Sequence, residues 1–192
     1  DALRRLVEAQ VAAGVDGLTV EAGHVDVLLV NLAGASSGKA VGEVQDAELD
    51  MLLDRQVRPL HRLTRAVLPQ MLARRKGKIV VVGSATGLRG QPRRAAYSAA
   101  RAAQHGYVRS VGAEVAAFGV NVVATGQTFV ENPTYFPPSY QATEEFKQRM
   151  QGVPAGRLST GREAAMFLLA LAGPESDWIF GQVFPYAGGW VT

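Results

Sequence analysis

Cysteine is absent from the 192 residues of the chain. Disulfides, thiolate nucleophiles and cysteine-based zinc sites are thereby excluded, and the redox compartment leaves no trace. Histidine is scarce, at three residues, and none falls with Asp and Glu at metal-ligand spacing. An excess of one charge is also missing. Twenty Lys and Arg oppose seventeen Asp and Glu, for a net charge of +3, too mild to argue for nucleic acid or acidic lipid. No apolar run approaches the roughly 18 residues of a membrane helix. From Asp1 onward the chain reads as a helix, with no signal-peptide pattern. The expectations are no nucleic-acid partner, no membrane span, no metal, and the cytoplasm as default compartment.

What is present is a large core. Hydrophobic residues make up 47% and charged residues 19%, which excludes intrinsic disorder. The length suits one domain over residues 1–192. A dense basic cluster, Arg74, Arg75, Lys76 and Lys78, falls where a helix gives way to a strand. Cations at a helix C-terminus complement its dipole, so this reads as a solvated helix end.

Periodicity places the elements. Ala2 to Ala13 carries Leu3, Leu6, Val7 and Val11 at helical spacing, and Gly17 to Glu21 is a short strand candidate. Val25 to Leu32 is a near-continuous apolar run, the pattern of a strand buried on both faces. Asp46 begins a long helical pattern with bends expected at Pro59 and Pro69. Lys78 to Gly83 reads as a second buried strand, Ala95 to Phe118 as an alanine-rich helix, and Val120 to Thr125 as a third strand. Gly126 to Ala142 is a long loop, Thr143 to Gln151 and Gly161 to Ala172 are helices, and Gly181 to Tyr186 is a last strand. Strands alternating with helices predict a parallel sheet covered on both faces, a Rossmann-like, doubly wound α/β fold of three layers. Ligands of such sheets sit at the carboxyl ends of the strands, here Asn31–Gly34, Ser84–Gly87 and Thr125–Phe129.

The segment GSATGLRGQPRRAAYSAAR carries the chemistry. Ser84 ends a buried strand, Tyr97 opens a helix thirteen residues on, and Arg101 follows four residues later. Residues i and i+4 share a helix face. The Arg101 guanidinium can therefore lie beside the Tyr97 phenol, where a permanent cation favours the phenolate. A tyrosine so placed can serve as general base, with the Ser84 hydroxyl holding the oxygen that loses its proton.

With these residues the chain resembles the short-chain dehydrogenases and reductases. Asn31-Leu32-Ala33-Gly34 is similar to the family's N-N-A-G turn, departing at the second position. Ala66-Val67-Leu68-Pro69-Gln70-Met71 matches a helix segment, Ser84 and Tyr97 the catalytic pair, and Gly181-Gln182 with Gly188-Gly189 the C-terminal strand and turn. The departures point further. The reductases carry lysine, which also holds the nicotinamide ribose, where this chain has Arg101, and the two cations are not interchangeable. Gln56 stands where a catalytic asparagine is usual. Gln127-Thr128, followed by Phe129 and ENPTYFPP, replaces the Pro-Gly beside the nicotinamide. Serine, tyrosine, arginine and an aromatic loop resemble one offshoot, the halohydrin dehalogenases, as does the ending GQVFPYAGGWVT.

That resemblance implies no nicotinamide cofactor and a halide site in its place. Tyr97 would take the hydroxyl proton of a vicinal haloalcohol, Ser84 would position its oxygen, and Arg101 would stabilise the phenolate. The alkoxide would then displace halide from the adjacent carbon and close an epoxide. In reverse, epoxides would open with cyanide, azide or nitrite. Backbone N–H groups of Gln127, Thr128 and Phe129 are the expected halide donors, completed by aromatic edges of Phe129, Tyr135 or Phe136. Thr86, Leu88, Gln91, Tyr135 and Phe136 are candidate pocket walls. His61 and His105 are expected to have packing or interface roles, and His24 to face solvent. Trp190 is expected in the core or at a subunit interface, and the resemblance favours the interface. The superfamily's pairing of its two long helices implies a homotetramer. Members of the family also open with a strand, loop, helix and second strand, roughly 30–40 residues, ahead of the part matched by Asp1–Ala13. An NAD(P)-dependent reductase with Tyr-x3-Arg remains the alternative, and a non-catalytic scaffold the third reading.

Overall fold

In a computed structural model of the chain, residues 23–32, 34 and 37–192 are described. The expected helix Ala2–Ala13 and strand Gly17–Glu21 lie outside them. Strands β1 (Val27–Asn31), β2 (Gly77–Val82), β3 (Val120–Gln127) and β4 (Val183–Tyr186) form one sheet in that order. All three pairings are parallel. Helices α1 (Asp46–Gln56) and α2 (Arg58–Arg74) connect β1 to β2, and α3 (Ala95–Val115) connects β2 to β3. Helices α4 (Pro138–Gln141), α5 (Glu144–Gln151) and α6 (Gly161–Ala172) lead back to β4. This is a Rossmann-like α/β arrangement.

The apolar blocks of β2 and β3 follow from burial of alternate residues on opposite faces. Ile79, Val81, Val120, Val122 and Ala124 pack with Leu60, Val67 and Met71 of α2 and Val108 and Val115 of α3. Val80 and Val123 face the other way, onto Leu171, Phe167 and Leu168 of α6. The expectation of two buried faces fails for β1. Val30 is buried, but Val27 and Leu29 are 41% and 52% exposed. Their register partners Lys78 and Val80 lie on the α6 side, and among the described residues α6 does not extend over β1.

The long helical pattern from Asp46 divides at Val57, which caps both helices. Pro59 sits in the first turn of α2, where a missing N–H leaves no bond unmade. Pro69 is inside α2, which runs on through it. The Gly126–Ala142 loop is shorter than expected at both ends, since β3 extends to Gln127 and α4 forms within it. Thr143 and Thr160 cap α5 and α6 with their side-chain oxygens. Three cations of the basic cluster have intrachain partners: Arg74 pairs with Asp26, Lys78 with Asp177, and Arg75 donates to the Ala117 carbonyl.

Helix α3 comes very close to the sheet at Gly112. A Cβ there would stand 2.5 Å from the Cα and backbone nitrogen of Gly181. Backbone cannot swing aside as a side chain can, so Gly112→Ala should lower unfolding free energy by about 1–3 kcal/mol. Urea denaturation measures this, and unchanged stability would mean that α3 shifts off β4 at no cost.

Candidate active site

The sheet register sets Asn31 beside Val82 and Val82 beside Thr125, so the carboxyl ends of three strands open at one level. A cavity of about 530 Å³ lies there. Its wall includes Ser84, Thr86, Gln91, Tyr97, Arg101, Gln127, Thr128, Phe129, Tyr135 and Phe136. Leu88 is the exception among the expected pocket residues. Its side chain meets Gly126, where an added Cβ would lie 2.4 Å from Leu88 Cδ1, and it does not line the cavity. The turn Ala85–Gly87 after β2 carries Leu88 past the opening and onto β3.

Ser84 leaves β2 in extended conformation and caps that turn. Its Oγ lies 3.0 Å from Thr86 Oγ1, and the Thr86 N–H donates to it over 3.4 Å. Gly83 just before it is required by close approach. A Cβ there would come within 2.5 Å of the Thr125 carbonyl and 2.6 Å of His105 Nε2.

Tyr97 and Arg101 occupy successive turns at the start of α3. Arg101 Nε donates to Tyr97 Oη over 3.1 Å, and its guanidinium carbon lies 5.1 Å from the tyrosine ring centroid. Arg101 is only 6% exposed, so its remaining donors need partners. Nη1 reaches Gln104 Oε1 at 3.0 Å and the Val82 carbonyl at 3.4 Å. Gln104 in turn donates to the Gln56 carbonyl over 2.8 Å. Gln56 thus joins the site through its main chain, while its fully buried side chain packs towards Gly34. Sequence reading named Gln56 but not Gln104, although its i+3 spacing from Arg101 was a usable signal.

His105 does not line the cavity. It is fully buried behind Gly83, and burial, helped by the charges of Arg109 and Arg101, pushes its pKa down to about 4. The unfolded chain regains a value near 6.5 and binds more protons between pH 6.5 and 4. Stability should therefore be full above pH 6.5 and fall with pH through that window, by on the order of 3 kcal/mol. Unfolding curves for wild type and His105→Gln over this range measure it. Parallel pH dependences would remove His105 as the cause.

At the end of β3 the backbone turns sharply. Phe129 has φ of 56°, a left-handed conformation that costs a bulky residue about 1–2 kcal/mol. Its buried ring is held against Phe136, at 6.4 Å between centroids, and against Trp190, at 6.0 Å. One expected anion donor is not free: the Thr128 N–H donates to the Tyr186 carbonyl over 3.1 Å. Parallel pairing of β3 with β4 continues one residue too far for Thr128 to turn its N–H inward. Tyr135 is half exposed at the rim, whereas Phe136 is buried with Phe146 and Met150. Trp190 also lies under the Arg89 guanidinium, 4.8 Å from its ring centroid.

His61 is exposed and approaches the Tyr107 hydroxyl at 3.3 Å, and exposed His24 meets Asp26. Among the described residues no group of three His, Asp or Glu could hold a metal. No described helix is long and apolar enough to cross a membrane. Sequence reading missed Arg94 and Arg149, which also line the cavity.

Residues 6–138 match the family model described as short chain dehydrogenase. Among curated proteins, a 3-oxoacyl-[acyl-carrier-protein] reductase FabG of Vibrio cholerae is 34% identical over 180 residues, 93% of this chain and 72% of the relative. The FabG of Vibrio harveyi is 32% identical over 169 residues, covering 88% and 68%. Among solved structures, a "dehalogenation enzyme" superposes with a TM-score of 0.89 at 36% identity, covering 94% of this chain and 74% of that one. A halohydrin dehalogenase (HheC) bound to ethyl (2S)-oxiran-2-ylacetate has a TM-score of 0.86 at 23% identity, with the same coverage, a likeness of fold.

Proposed function

Since the chain belongs to the short chain dehydrogenase family, we propose that it uses this fold without hydride transfer, as a halohydrin dehalogenase. The observation that carries the reading is Arg101. Its guanidinium donates to Tyr97 Oη and is fixed by Gln104 and the Val82 carbonyl. Likeness to a dehalogenation enzyme at 36% identity supports it.

Tyr97, as phenolate beside Arg101, takes the hydroxyl proton of a vicinal haloalcohol. Ser84 donates to the same oxygen. The alkoxide lone pair attacks the neighbouring carbon from behind, the C–O bond closes the epoxide ring, and the C–halogen pair departs as halide. Both reacting atoms belong to one molecule, so little proximity remains to be supplied. Halide is received beside the Phe129 turn, with Gln127 and Thr128 flanking and Phe136 behind. In reverse, Tyr97 protonates the epoxide oxygen as cyanide, azide or nitrite attacks carbon. Thr86, Gln91 and Tyr135 bound the substrate space. The assembly implied by the resemblance is a homotetramer, with α3 and the α1–α2 pair at its contacts.

A nicotinamide cofactor fits these residues poorly. The cation that would hold its ribose already serves Tyr97, Gln104 and Val82, and Phe129 with Phe136 forms the wall beyond β3. A reductase is the second reading, favoured by the 32% and 34% identities to FabG proteins. Epichlorohydrin with azide separates the two. The dehalogenase reading expects an azido alcohol without added cofactor. Tight NADPH binding by fluorescence titration, with no azide adduct, would favour the reductase.

A further inference from the structure

The cavity wall carries three arginines, Arg94, Arg101 and Arg149, against one carboxylate, Glu131. Arg101 is committed to Tyr97 and Gln104. The other two have no acidic partner among the described residues, whereas Arg58, Arg74 and Arg157 pair with Asp54, Asp26 and Glu163. Arg149 projects from the last turn of α5, with its guanidinium carbon 5.5 Å from the Phe129 centroid and 5.8 Å from that of Phe136. A guanidinium over aromatic faces is held by cation–π attraction, while its N–H groups point outward in its own plane. A planar fork with open donors, on the wall of a cavity larger than a three-carbon haloalcohol needs, suits a carboxylate bound by two parallel hydrogen bonds.

We propose that Arg149, supported by the charge of Arg94, binds the carboxylate of an anionic substrate at this cavity. The substrate class is then the halogenated hydroxy acids and the matching epoxy acids. This deepens the dehalogenase reading and rests on it. The carboxylate end anchors at Arg149, leaving the hydroxyl for Ser84 and Tyr97.

The test compares 4-chloro-3-hydroxybutanoate with its ethyl ester, following chloride release by wild type, Arg149→Gln and Arg149→Lys. The acid should be preferred in kcat/KM by wild type. The acid-to-ester ratio should fall roughly 10- to 100-fold in Arg149→Gln, as expected for a lost charge-assisted contact, mainly through KM. Arg149→Lys should recover part of it. In parallel, calorimetric titration with unreactive 3-hydroxybutanoate should show binding to wild type and none to Arg149→Gln. An equal ratio in all three proteins, with chloride still released, would overturn the Arg149 site and leave the dehalogenase reading standing. Arg149-dependent binding of 3-hydroxybutanoate without chloride release from either compound would uphold the site and overturn the dehalogenase reading. Neither binding nor release would overturn both.

Discussion

Tyr97→Phe should reduce halide release by at least 10²- to 10⁴-fold, the usual contribution of a positioned acid–base group. The phenylalanine ring fills the same space, so the helix start is preserved. What disappears is the oxygen that accepts the proton and receives the Arg101 Nε–H at 3.1 Å. Arg101 keeps its bonds to Gln104 and the Val82 carbonyl, so the variant should fold, with a loss of about 1–2 kcal/mol from one unsatisfied donor. Turnover of 1,3-dichloro-2-propanol and a thermal melt give the two numbers. Retention of most activity would mean that another base removes the proton.

Arg101→Lys is the second large effect, and the more diagnostic, because lysine is what the resemblance to reductases would lead one to expect there. An ammonium is a point charge on a flexible stem, while the guanidinium is a rigid fork. Lysine can meet Tyr97 Oη or Gln104 Oε1, but it lacks the geometry that joins both to the Val82 carbonyl. Arg101 is only 6% exposed, so the acceptor left behind loses a hydrogen bond with little compensation, at about 1–3 kcal/mol. Turnover should fall roughly 10²-fold, since the charge remains but no longer fixes the phenolate oxygen. The change should appear in kcat more than in KM. Full activity in Arg101→Lys would make the fork dispensable and remove the main argument against a reductase.

Much of this was legible in the sequence because the key relationships are local. Ser84 ends an apolar strand, and Tyr97 and Arg101 are one helical turn apart, so periodicity alone could place them. The parallel sheet was legible for a similar reason, since the runs Ile79–Val82 of β2 and Val122–Ala124 of β3 are unbroken apolar blocks, the pattern of burial on two faces. The same signal misled at β1, where Val27 and Leu29 are as apolar as their neighbours but exposed. Hydrophobic pattern reports what a residue can tolerate, and coverage depends on which helix reaches it. Thr128 failed as a free N–H donor because strand pairing with Tyr186 is a long-range fact. Leu88 lies between Ser84 and Tyr97 in sequence, yet the turn at Ala85–Gly87 carries it away from the opening. Arg149 and Arg94 gave no signal at all. A surface-type arginine on a short amphipathic helix looks like any other until the fold lays it over Phe129 and Phe136.

Cofactor-free halide release tests the central claim most directly. Purified protein is mixed with 1,3-dichloro-2-propanol in chloride-free buffer, with no nucleotide added, and chloride and epichlorohydrin are measured together. Equimolar chloride and epichlorohydrin, lost in Tyr97→Phe, is the predicted result. No chloride from folded protein that oxidises NADPH with a carbonyl substrate would contradict the account and make Arg101 a variant of the reductase lysine.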